Sequence, residues 1–240
     1  PPLQAPHHSV TMPALIGGGS RSLAPGAASL AHGGVLFLDE ATEFAPSVLD
    51  SLREPLESGR IHLHRSGVQA TYPATFQLVM ASNPCPCGGG RGGRGCSCSS
   101  LNRRRYLSRL SGPLLDRMDI RIDMHTPSRA DMAMGAAQDS ASMRQRVCEA
   151  RERARHRLRD TPWVTNAQLP GAWIRRCSGI APDLVEQIDR LVEAGRASMR
   201  GADRMLRLAW TLADLEGTKS VTLDHIVAAE QLRNGSDHRE

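Results

Sequence analysis

The stretch that most constrains this chain is Gly33-Gly34-Val35-Leu36-Phe37-Leu38-Asp39-Glu40. Consecutive apolar residues cannot alternate between core and water, so Val35–Leu38 predicts a strand buried on both faces. Such strands belong to parallel sheets covered by helices. Two adjacent carboxylates follow at the strand's carboxyl end, where open α/β sheets bind their ligands. In a nucleotide hydrolase the first carboxylate orients the Mg2+ shell and the second polarises the attacking water, which is the Walker B arrangement. The same residues also suit an ordinary strand ending in a solvated acidic turn. Taken alone, the stretch leaves both readings open.

Its surroundings extend the first reading. Residues 1–33 are rich in Gly, Pro, Ala and Ser and read as turns and irregular segments. After Glu40 a helix is expected over about 46–58, closed by Gly59. Ile61–Arg65, Ser66-Gly67 and Val68–Tyr72 read as a β-hairpin. A second buried strand, Phe76–Ala81, runs into Ser82-Asn83-Pro84; a helix over about 103–116 and a third strand, Ile120–Met124, follow. Beyond Pro127 only helical stripes remain, among them Val147, Ala150, Ala154 and Leu158, then Leu184 and Ile188, then Met205, Leu206 and Ala209. The expected fold class is therefore α/β followed by an all-helical part, dividing 1–126 from 127–240.

Composition sets wide bounds. The chain has 240 residues, 40% hydrophobic, 23% charged and only 3% aromatic, so aliphatic side chains must build its core. A net charge of +5 suits anionic partners, nucleotide or nucleic acid. No apolar run is long enough for a membrane-spanning helix, and the first residues lack the pattern of a signal peptide. Clustered cysteines do not suggest a secreted disulfide framework, so the cytoplasm is the expected location. Without an initiator Met, the chain is expected to be a piece of something larger.

A strand ending in Asp-Glu, then a helix, a hairpin and a strand ending in Asn is the order found in AAA+ ATPases. That order puts Asn83 at the sensor-1 position, which orients the water near the γ-phosphate. Asn before Pro is also a common turn initiator.

The resemblance becomes specific over several segments. They are Ala5-Pro6-His7-His8-Ser9, Ala14 to Gly19, Ser29 to Glu40, Leu52 to Gly59, Asn83 to Gly88, Arg109 to Arg117 and Ala213-Asp214-Leu215-Glu216. As a set they closely resemble magnesium-chelatase-like AAA+ ATPases of the YifB/ComM type, over nearly the whole chain. The resemblance implies a P-loop NTPase-type parallel sheet core, here partial, followed by an all-helical lid. Residues 1–126 then hold the helix-2 insert, Walker B, pre-sensor hairpin, sensor 1 and arginine finger. It also implies ATP and Mg2+ as ligands, a homo-hexamer and a DNA partner, with branch migration during natural transformation in the ComM branch.

On this pattern Asp39 holds Mg2+, Glu40 activates water, and Arg117 is the arginine finger given to a neighbouring subunit's γ-phosphate. Arginine suits that role through its delocalised charge and fixed donors; the plainer reading is an ion pair with Asp116 or Asp119. Arg200 matches sensor 2 best and Arg204 next, on a helix face that also carries Arg207. Trp210 stands where a basic residue is expected, and a solvated basic face is the alternative.

Cys85-Pro86-Cys87 and Cys96-Ser97-Cys98 make a four-thiol set suited to structural Zn2+, with free thiols as the alternative. His7 and His8 read as structural, and Cys148 and Cys177 as packing residues. Arg91, Arg94, Arg103, Arg104, Arg105 and Arg109 beside Tyr106, and the hairpin residues His62, His64 and Arg65, fit nucleic-acid contact or a solvated surface equally.

One part is missing. A phosphate-binding loop needs G-x-x-x-x-G-K-S/T. The only lysine, Lys219, precedes Ser220, but Ala213 and Thr218 stand where the glycines should be. In the resembling family that loop lies before the Ala-Pro-His-His segment. The chain alone is therefore expected to bind ATP poorly. Two other functions stay open: a chelatase subunit of tetrapyrrole synthesis, and a non-catalytic zinc and nucleic-acid-binding fragment.

Overall fold

In the computed structural model the described residues are 1–19, 22–65, 68–88, 96–124, 139–176 and 179–235. The chain forms two compact units, Pro1–Arg117 and Met118–Glu240. Residues 118–124 therefore fall in the second unit, ahead of the expected division near 126.

The strands of the first unit are β1 (Leu3–Gln4), β2 (Gly17–Gly18), β3 (Ala24–Pro25), β4 (Val35–Leu38), β5 (Arg60–Arg65), β6 (Val68–Pro73) and β7 (Gln77–Met80). β4 is the centre of a parallel sheet, flanked by β1 and β7. β2 pairs with β3, and β5 with β6, as antiparallel ribbons. Gly34 makes the sheet close: a Cβ there would lie 1.9 Å from the Pro2 carbonyl oxygen. Val35 N–H donates to that carbonyl at 2.9 Å.

The helices of this unit are α1 (Met12–Ile16), α2 (Ala27–Leu30), α3 (Pro46–Asp50), α4 (Pro55–Ser58), α5 (Ser100–Leu107) and α6 (Gly112–Leu115). Leu36 and Leu38 are fully buried against Leu15, Ala28, Phe44, Leu49, Leu52 and Leu114. Each such leucine contributes roughly 1.5–3 kcal/mol. The opposite sheet face is less closed than the apolar run predicts. Val35 and Phe37 are half-buried, and Val79 is exposed, because the described helices pack on the Leu36–Leu38 side.

Two expected helices are broken, and proline chemistry explains both breaks. Over 46–58 the chain forms α3, a 3-10 turn at Ser51–Arg53, and α4, which restarts at Pro55. Proline has no N–H for the carbonyl four residues back, so it suits a first helical turn and not an interior. Over 103–116, α5 stops and α6 begins anew at Gly112-Pro113, capped by Ser111 accepting from Leu114 N–H.

The expected third strand does not form. Ile120–Met124 carries no strand, and Ile120, Ile122 and Met124 are exposed. Alternating apolar residues satisfy the pattern, but a strand also needs a ladder neighbour. Here Arg121 N–H donates instead to the Leu232 carbonyl at 2.6 Å.

The second unit is helical: α7 (Ser140–Leu158), α8 (Gly171–Ile174), α9 (Pro182–Glu193), α10 (Met199–Glu216) and α11 (Leu223–Asn234). Asp139, Ser198 and Thr222 cap α7, α10 and α11 by accepting backbone N–H groups. α10 is the core helix, with Ala202, Met205, Leu206, Ala209, Trp210 and Ala213 all buried. Ala150, Ala154 and Leu158 of α7 bury as their spacing predicts, whereas Val147 is exposed. Among the described residues no helix is long and apolar enough to cross a membrane.

Candidate functional site

The turn after β4 holds the only non-glycine residue among the described ones with a left-handed backbone, Glu40, at φ 50°. That conformation is uncommon for a side chain with a Cβ. Several bonds hold it. Glu40 N–H donates to Asp39 Oδ1 at 2.9 Å, and Ala41 N–H donates to the Ala81 carbonyl at 2.8 Å. Ala81 N–H in turn donates to the Leu38 carbonyl at 3.0 Å, and the Thr42 and Ser82 hydroxyls meet at 3.0 Å. The ends of β4 and β7 are thus laced together. Asp39, Glu40 and Asn83 all emerge there, exposed, from adjacent parallel strands.

His8 joins this group, a role the sequence reading did not assign. Its Nδ1 lies 3.1 Å from Glu40 Oε2. An ionised carboxylate only accepts, so in this pair the histidine nitrogen carries the proton. His8 is held between His7, with ring centroids 4.0 Å apart, and the edge of Phe44 at 6.5 Å. The sequence signal was the Ala5-Pro6-His7-His8-Ser9 segment, whose start sits one residue after β1.

Arg117 is engaged within its own unit. Its Nε donates to the Arg53 carbonyl at 3.1 Å, Nη1 to the Pro113 carbonyl at 2.8 Å, and Nη2 to Glu57 Oε2 at 2.6 Å. Its side chain is only 10% exposed. Glu57 is thus an acidic partner of Arg117, while Asp119, one of the two expected alternatives, accepts from Arg204 Nη1 at 2.5 Å.

On α10, Arg204 is therefore tied to Asp119, and Arg207 Nε donates to the Leu169 carbonyl at 2.8 Å. Burial lowers the pKa of Arg207. Arg200 is half-buried. Trp210 is fully buried with the Arg157 guanidinium 3.8 Å over its ring, so this position serves the helical core.

Tyr106 corrects one expectation. It is buried, and burial raises its hydroxyl pKa, so it cannot stack on a nucleobase. Arg109 is likewise committed, donating to the Thr42 carbonyl at 2.8 Å and to Glu43 at 3.2 Å. Arg104 and Arg105 are exposed on α5, as are His62 and His64 on β5. Ser66, Gly67, Arg91, Arg94, Pro127 and Cys177, with the side chain of Arg65, lie outside the described residues.

Cys85, Cys87, Cys96 and Cys98 come together, all four Sγ atoms within 4.8 Å of one another. Hydrogen bonding to the Cys87 thiol pushes Cys98 up to about 11, and the same partner raises Cys85. The backbone N–H of Cys98 lowers Cys96. Cys148 is an exposed free thiol on α7, not a packing residue, because its α7 face turns away from the Ala150–Ala154–Leu158 stripe.

The family model described as magnesium chelatase, subunit ChlI, matches residues 1–132, and that of the ChlI C-terminal region matches 137–233. An uncharacterized protein of Mycobacterium tuberculosis is 45% identical over 239 residues, covering 100% of this chain and 47% of its own length. YifB of Escherichia coli is 41% identical, over 97% of this chain and 45% of its own. Competence protein ComM of Haemophilus influenzae is 38% identical, over 95% and 44%. The chain thus spans a little under half the length of these relatives. With a family model matching more than half of its residues, the chain belongs to the magnesium chelatase ChlI family, in likeness to YifB and ComM.

Proposed function

We propose that this chain carries the hydrolysis half of an AAA+ ATPase site in a DNA-acting motor of the YifB/ComM kind. The observation that supports it most is the meeting of Asp39, Glu40 and Asn83 at one end of adjacent parallel strands, with His8 against Glu40. Asp39 would hold Mg2+, and the ion would supply neutralisation of phosphate charge. Glu40 accepts the proton of the attacking water, and Asn83 orients that water. His8 fixes the Glu40 carboxylate in one rotamer. The left-handed backbone at Glu40 turns its side chain out of the strand end instead of continuing the sheet. Arg117 serves a neighbouring subunit in a hexamer, leaving Glu57 when that interface forms. Arg200, with Arg204 next, contacts the nucleotide from the helical lid.

The phosphate-binding loop, absent from these 240 residues, is supplied from outside them, so the isolated chain hydrolyses ATP negligibly. The exposed Arg104, Arg105, His62 and His64 suit a phosphate backbone. The name of ComM as a competence protein supports DNA as partner. The second reading, a chelatase subunit of tetrapyrrole synthesis, is favoured by the family model's description.

The deciding experiment measures ATP turnover by the full-length protein with and without branched DNA. Stimulation by DNA, absent from the isolated chain, is the expected result. Turnover indifferent to DNA but raised by porphyrin-pathway proteins supports the second reading. Robust turnover by the isolated chain contradicts the half-site account.

A further inference from the structure

The sulfur atoms of the 85–98 segment stand closer than free thiols need to. Cys85 Sγ is 3.3 Å from Cys87 Sγ and 3.6 Å from Cys96 Sγ, and Cys87 Sγ is 3.6 Å from Cys96 Sγ. Four thiolates at about 2.3 Å from one Zn2+ in a tetrahedron are separated by about 3.8 Å. The observed spacings differ from that edge by only a few tenths of an ångström. A disulfide needs about 2.05 Å, well short of these separations, so the four thiols are not paired as disulfides. A multi-iron cluster places metal and sulfide atoms between its ligands, so a set this tight fits a single ion.

The surroundings fit as well. A tetrathiolate zinc centre carries a net double negative charge. Arg103, half-buried, hydrogen-bonds the Cys96 thiol and donates from Nη1 to the Cys98 carbonyl at 3.1 Å. Its guanidinium offsets part of that charge, the outer-shell contact that metal sites require. Cys85 is fully buried, which shields one ligand from exchange and oxidation. The two ligand pairs also have a definite place in the fold. Cys85 and Cys87 follow β7 and Asn83 directly, and Cys96 and Cys98 directly precede Ser99, the N-cap of α5.

We propose that Cys85, Cys87, Cys96 and Cys98 bind one Zn2+ as four thiolates, stapling the carboxyl end of β7 to the start of α5. α5 is itself anchored beside the Asp39–Glu40 turn, through buried Tyr106 next to Thr42 and Glu43. The metal therefore restrains the backbone just after Asn83. The site stands independently of nucleotide hydrolysis and is measured without ATP.

The test is metal analysis of the purified chain, with sulfur coordination read by X-ray absorption at the zinc edge. One zinc per chain with four sulfur neighbours is the expected result. Cys87→Ser and Cys98→Ser each lower retained zinc at least tenfold, while Cys148→Ser, on α7, keeps it. Circular dichroism of the zinc-free variants confirms that loss of metal is not loss of fold, and Cys85→Ser, at a buried position, is avoided. Removing zinc by a chelator also speeds amide exchange at Ser82, Asn83 and the first turn of α5, leaving β4 unchanged. The proposal is overturned if the chain, purified without chelator and supplied with zinc, retains no metal and all four thiols react stoichiometrically with a thiol reagent. It is equally overturned by zinc bound with fewer than four sulfurs, or by iron in a cluster.

Discussion

Two charged clusters, one in each unit, contrast with each other. In the helical unit one cluster turns inward around Asp214. Arg157 Nη2 donates to Asp214 Oδ2 at 2.6 Å and to Asn166 Oδ1 at 2.9 Å, and Asn166 Nδ2 donates to the same carboxylate at 2.8 Å. Asp214 is buried, and Arg157 lies over Trp210. Arg175 likewise bridges Asp189 and Asp203. In the sheet unit Asp39, Glu40 and Asn83 are exposed at the strand ends, and Glu40 meets His8 across 32 residues of sequence. Buried, mutually satisfied charges orient helices and are costly to break. Exposed carboxylates on a rigid strand end contribute little to stability and remain free for a ligand. The difference separates the Asp214 network, which holds the helical unit together, from the strand-end carboxylates, which are available for chemistry.

Substitutions in each unit should therefore affect different measurements. The largest effect is expected from Glu40→Gln in the full-length protein. Loss of the proton acceptor should cut ATP turnover by about 10²–10⁴-fold, while ATP binding and the melting temperature stay near the parent's. A large drop in melting temperature would make Glu40 a structural residue and erase the contrast. Next is Asp214→Ala, which leaves Arg157 and Asn166 without their shared acceptor. Denaturant unfolding should show about 3–5 kcal/mol of lost stability. A loss under 1 kcal/mol would place the network among ordinary surface pairs.

A smaller effect is expected from His8→Ala. Freed from its partner, the Glu40 carboxylate samples more rotamers, and turnover should fall by roughly 10–100-fold at unchanged ATP affinity. His8→Asn, which keeps a donor, should recover part of the rate. Equal turnover in all three proteins would remove His8 from the site. The smallest effect is expected from Thr222→Ala at the cap of α11, where about 1 kcal/mol of stability should be lost with turnover per folded molecule unchanged.

The contrast between the units also explains what could be read from the sequence. β4 and its two carboxylates were legible because an unbroken apolar run has few other fates. The β5–β6 hairpin and the stripes of α7, α9 and α10 were legible because their periods, two and 3.6, are local. Contacts over long sequence distances were not. The Arg117–Glu57 pair spans 60 residues, and the His8–Glu40 pair 32. Tyr106 looked like a surface ring among arginines, yet α5 turns it inward, because a helix's facing depends on its dock and not on its immediate neighbours. Ile120–Met124 had the alternation of a strand, but pattern cannot supply a pairing partner. Pro55 and Gly112-Pro113 did carry the two helix breaks, and the apolar residues on either side obscured them.

The central claim is that Glu40 and Arg117 complete one another's sites across subunits, and mixing two inactive proteins tests it most directly. Full-length Arg117→Ala should bind ATP and lose about 10³-fold or more in turnover. Full-length Glu40→Gln should bind ATP and fail to hydrolyse it. Mixed and reassembled, the two should recover part of the parent's turnover, because interfaces that join an intact Glu40 to an intact Arg117 are then present. Turnover that stays at the level of the separate variants, in hexamers shown to contain both chains, would contradict the account. So would near-normal turnover by Arg117→Ala alone, which would leave Arg117 as a partner of Glu57 and nothing more.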